Sequence, residues 1–155
     1  TTTDLLPPGM NARTAAHEYG GAAWWVADGV VWFVNWDDQR LYRLDPGSAP
    51  VPISPEPVVK RGDRWADGVV TADGSSVICV REHHDDSGVV TNEIVSLPSG
   101  GGRRGVERQQ QDSGGRPEIL VTGTDFVAAP RLDAEGRRLA WVQWDHPSMP
   151  WDDTV

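Results

Sequence analysis

The chain has 155 residues, enough for one ordinary domain with a real core, and 38% of them are hydrophobic. Its 14 basic and 23 acidic side chains leave a net charge of −9, which disfavours nucleic-acid phosphates as partners. No apolar run approaches the roughly 18 residues that would cross a bilayer, so no membrane is expected, and the single cysteine, Cys79, excludes an internal disulfide and fits a cytoplasmic location.

With 17 glycines and 12 prolines, the composition favours short strands and many turns over long helices. The first segment reads "AAWWVADGVVWFVNWDDQ": a short apolar strand, Asp28 and Gly29, then a stronger strand rich in β-branched and aromatic residues. A two-residue hairpin suits Asp-Gly, because both turn positions need positive φ and glycine adopts it cheaply. "RLYRLD" supplies a third strand and "PVPIS" a fourth. The pattern returns in "DGVVTADGSSVICVREHHDD", followed by "NEIVSL" and "PEILVT", and again in "AAPRLDAEGRRLAWVQWDHP". No amphipathic helical stretch of convincing length interrupts them.

The acidic turn residues Asp28, Asp73 and Glu135 stand 45 and 62 positions apart. The longer interval contains a Gly/Gln/Arg-rich insertion at 99–116, too polar to offset its ordering entropy and therefore expected to be a mobile loop. Without it the repeat returns to about 45, and a four-strand unit of roughly 40–50 residues is the signature of a β-propeller blade. The expected fold is all-β, a partial propeller of about two and a half four-stranded blades. Residues 1–16 lead in from a preceding blade, 17–60 and 61–122 form two blades, and 123–155 form the first half of another. Gly20, Gly21, Ala22 and Ala23 are expected to let an inner strand lie close to the crowded axis. Trp24, Trp25, Trp32 and Trp36 are expected in the core and between blades. An arc of this kind leaves its end blades uncovered, so the remaining propeller is an expected partner.

The segments "NARTAAHEYGG", "ADGVVWFVNWDDQRLYRLDPG", "VREHHDDSGVVTNEIVSLPSGG" and "APRLDAEGRRLAWVQWDHPSMPWDDT" resemble the propeller domain of prolyl-oligopeptidase-family serine peptidases, of the bacterial dipeptidyl or acylaminoacyl type. "HEYGG" and "WDHPSMPWD" carry most of the specificity. The resemblance implies a parent enzyme in which the propeller restricts entry of short peptides to an α/β-hydrolase domain bearing a Ser-Asp-His triad. No G-x-S-x-G elbow occurs in this chain, so no catalytic residue is assigned to it. A protein-binding platform like the TolB-type repeats is the alternative.

Loops joining second to third strands would share one end of such a propeller with the loops between blades, including "KRGDRWAD" and "TGTDF". Glu82 and Asp145 close matching second strands and are the first candidates for holding a peptide's free amino end. Arg81, His83 and His146 stand beside them as substrate-facing candidates. The plainer reading of these residues is a solvated acidic rim. His83, His84, Asp85 and Asp86 with His146 carry metal-ligand chemistry, but adjacent residues rarely converge on one ion, so neither a metal nor a cofactor is assigned. His17 and Glu18 read as a hydrogen-bonding pair at a strand edge, and Cys79 as a small buried hydrophobe.

Overall fold

The computed structural model describes residues 2–101 and 115–155. Among the described residues ten strands form three antiparallel sheets, each a meander in chain order. The first contains β1 (Trp24–Ala27), β2 (Val30–Val34), β3 (Leu41–Leu44) and β4 (Val51–Pro52). The second contains β5 (Asp63–Val70), β6 (Ser76–His84), β7 (Val90–Pro98) and β8 (Glu118–Val121). The third pairs β9 (Phe126–Leu132) with β10 (Leu139–Trp144). This is an all-β partial propeller whose sheets do not close into a ring. The insertion expected at 99–116 falls largely outside the described residues.

Strand periodicity explains why the sheets stack. Along β6, successive side chains point to opposite faces. Val77 and Cys79 enter the core shared with the first sheet, beside Trp32, Leu41 and Trp65. Ile78 and Val80 enter the core shared with the third, beside Ala66, Ile94 and Val127. The middle sheet is therefore apolar on both faces, and β6 buries four consecutive residues, Val77 to Val80.

Asp28 and Gly29 form the expected two-residue turn, with φ of 49° and 75° and Ala27 paired to Val30. The other two hairpins are four-residue loops instead. The Thr71 N–H bonds Ser76 O, and the Asp133 N–H bonds Arg138 O. In the first of these Asp73 takes the Thr71 hydroxyl and the Ser75 N–H, which hold its carboxyl down at about 2; in the second the local acceptor is Asp133, which takes the Arg137 and Arg138 N–H groups. In each loop only the glycine is left-handed.

The inner strands meet at backbone irregularities. Asp67 has φ of 55° at a bulge in β5. Its carboxylate accepts the Ala22 N–H at 2.7 Å and, through its other oxygen, the Ala129 N–H at 3.0 Å. A Cβ on Gly21 would lie 3.0 Å from the Ala66 Cβ, so the glycine permits the close approach of this segment to β5. Gly68 leaves room for the Trp25 indole, which a Cβ would meet at 1.9 Å. The tryptophans divide: Trp32 is buried, Trp25 and Trp36 are half-buried, and Trp24, expected in the core, is 59% exposed because no described element covers that face of β1.

Candidate functional site: the polar end of the arc

One end of the arc gathers the turn at residues 14–20, the β2–β3 loop, the segment entering β5, the β6–β7 loop and the residues after β10. The turn holds His17 and Glu18 in left-handed conformation, φ 54° and 64°. They are not a strand-edge pair: they lie in a turn closed by Glu18 N–H to Ala15 O and Gly20 N–H to Ala16 O. What fixes the turn to the middle sheet is Glu82.

Glu82 is 3% exposed and faces Arg64 directly across the β5–β6 register. Its Oε1 accepts Arg64 Nη1–H at 2.8 Å and lies 2.6 Å from His84 Nε2. Its Oε2 accepts the His17 backbone N–H at 2.5 Å. The same Arg64 nitrogen donates to Glu18 Oε1 at 2.6 Å and to Ala15 O at 3.1 Å. The bond and charge of Arg64 hold Glu18 below the usual carboxylate range. Both Glu82 oxygens are thus bonded within the chain, and the residue acts as the organiser of this end.

The other candidates occupy separate positions. Arg81 directs Nε and Nη2 onto Glu93 Oε2, its cross-strand partner, at 2.8 and 2.6 Å. His83 Nδ1 lies 2.7 Å from Asp63 Oδ1 beside a cavity of about 230 Å³. Asp145 is exposed and accepts the Asp125 N–H at 2.7 Å. His146 Nδ1 lies 3.0 Å from Asp125 Oδ2, and its ring leans on Phe126 at 4.9 Å. Bonds from the His146 backbone and ring lower the Asp125 pKa. Glu82 and Asp145 do not touch; between them lie Asn92, which faces Glu82 across the β6–β7 register, and the His17 ring, which packs edge-on against Phe126 and Trp144. Among the described residues no group of three or more His, Cys, Asp or Glu side chains is arranged to hold a metal ion.

Three participants were not among the sequence candidates. His17 carries an imidazole whose pKa burial lowers, against the opposing pull of Glu82 and Asn92. Asn92 donates to Asp125 O at 2.6 Å and lies beside a cavity of about 310 Å³. Phe126 stacks on Trp144. The signal for His17 was present in "HEYGG"; Arg64, in "KRGDRWAD", was expected at this end, but its pairing with Glu82 appears only once the β5–β6 register is known. "KRGDRWAD" and "TGTDF" were expected as loops, yet Asp63 to Asp67 belong to β5 and Phe126 opens β9, because their alternate residues (Trp65, for one) are needed in the core.

No family model and no curated protein matches the chain. Solved structures do. A puromycin-hydrolyzing peptidase from Mycobacterium tuberculosis is 42% identical over 98% of this chain, with a TM-score of 0.82. The chain belongs to the propeller of prolyl-oligopeptidase-family peptidases. A puromycin hydrolase and a mutant of it complexed with PGG are each 32% identical over 97% of this chain, with TM-scores of 0.78 and 0.79. The chain spans about a quarter of those structures, 24% of the first and 23% of the other two. The similarity therefore concerns the propeller region of such peptidases.

Proposed function

We propose that this segment screens substrates for a prolyl-oligopeptidase-like serine peptidase that hydrolyses short peptides, the catalytic triad residing in an α/β-hydrolase domain that faces the polar end. The observation that carries this reading is 42% identity to a puromycin-hydrolyzing peptidase along nearly the whole segment. Puromycin, an amide small enough to pass a propeller, joins short peptides as a candidate substrate on the same ground. In this reading Glu82 is a positioning residue: buried and doubly bonded, it fixes His17, Glu18 and Arg64, while the exposed Asp125, Asp145 and His146 meet what enters. Alone, the segment hydrolyses nothing.

The test is hydrolysis by the complete protein containing this segment. A chromogenic dipeptide amide and puromycin should be cleaved, and a long unfolded polypeptide such as reduced casein should not. Cleavage of casein at a comparable rate would remove the screening role. Absence of any hydrolysis would remove the peptidase reading and favour a binding platform.

A further inference from the structure

Trp36, at the start of the β2–β3 loop, has the Arg13 guanidinium 4.2 Å from its ring centroid and that of Arg61 at 4.5 Å. The backbone fixes this arrangement. Trp36 N–H bonds Asn11 O, Arg13 N–H bonds Val34 O, and the buried Gln39 side chain donates to Trp36 O at 2.9 Å. A guanidinium held over an aromatic face keeps N–H donors for a further acceptor, and paired N–H donors grip a carboxylate in bidentate fashion.

The surroundings set these two arginines apart. On this end the other arginines are engaged: Arg64 with Glu18 and Glu82, Arg81 with Glu93, Arg40 with Ser54 O. Asp38, two residues after Trp36, is committed to Asn35, Arg40 and Tyr42. In a chain with net charge −9, Arg13 and Arg61 have no carboxylate partner among the described residues. We propose that the Arg13–Trp36–Arg61 stack is an anion site for the C-terminal carboxylate of a peptide bound at this end. The proposal rests on the peptidase reading above for its ligand, and its chemistry is that of paired guanidiniums held ready before the anion arrives.

The experiment compares a tripeptide with its C-terminal amide as substrates of the complete protein. The wild type should prefer the acid by about tenfold in kcat/KM, the return of one bidentate charged pair. Arg13→Gln with Arg61→Gln should abolish that preference, whereas Arg137→Gln, on the far hairpin, should retain it. A wild type that cleaves both without preference, or a preference that survives the double substitution, overturns the site. Survival together with a lower melting temperature would mark a contact between domains instead. If neither peptide is cleaved, the peptidase reading has failed, and equilibrium dialysis decides the site: the labelled acid should bind and the amide should not, equal retention overturning it.

Discussion

Asp67 and Ala129 belong to different sheets, yet the carboxylate of one closes the backbone of the other at 3.0 Å while its second oxygen does the same for Ala22 at 2.7 Å. Asn tolerates the left-handed backbone at this position, so Asp67→Asn isolates the second acceptor. Its amide would set a donor against one of the two N–H groups. We expect a loss of about 1–2 kcal/mol, moderated by partial exposure, read as a lower urea midpoint with an unchanged slope.

Gly68→Ala tests the packing of Trp25. The new methyl would stand 1.9 Å from the indole, which must move. Overpacking of this kind costs about 1–3 kcal/mol. In a double-mutant cycle, Trp25→Ala should cancel most of that cost, since the clash needs both partners; additive losses would contradict it.

Glu82→Gln keeps the shape and removes the charge. Breaking a buried pair costs about 3–5 kcal/mol, and the low end is expected here because Arg64 retains Glu18 and Ala15 O. Activity of the complete protein should fall equally on peptides with free and with blocked amino ends. A loss confined to free amino ends would show that Glu82 touches substrate.

Tyr42 predicts alkaline behaviour. Burial first, then its hydrogen bond to Asp38, pushes the phenol up from 10.0 to about 12. The folded value is raised, so the stabilisation is complete below the unfolded pKa and drains away as pH climbs through the folded one. Phenolate absorbance should show a step near pH 12 that Tyr42→Phe abolishes, and stability should decline between about pH 10 and 12 in the parent but not through this step in the variant.

Much of the fold could be read from local pattern. "SVICV" announces a strand covered on both faces, and Asp28-Gly29 announces its own turn, because each signal lies within a few residues. Turn length at Asp73 and Glu135 could not, since it depends on where flanking strands pair. The site was legible in part for the same reason. Glu82 was visible as an acid ending a strand, but its bonds to Arg64 and to the His17 backbone span 18 and 65 positions. Asp67 stood at the end of "KRGDRWAD", expected as a loop; only the bulge reveals it as a bridge between sheets.

His17 serves two masters with different parts of itself. Its main chain answers to Glu82 in the middle sheet, and its ring lies against Phe126 and Trp144 in the third. With the Ala15 N–H bonded to Gln39 Oε1 in the β2–β3 loop at 2.8 Å, the short turn is a tie laid across both seams of the arc, and Asp67 is a second tie further along them. Any ring that incorporates these sheets must breathe, if it breathes at all, at seams other than these two, leaving this sector a fixed jamb and not a moving leaf of the door.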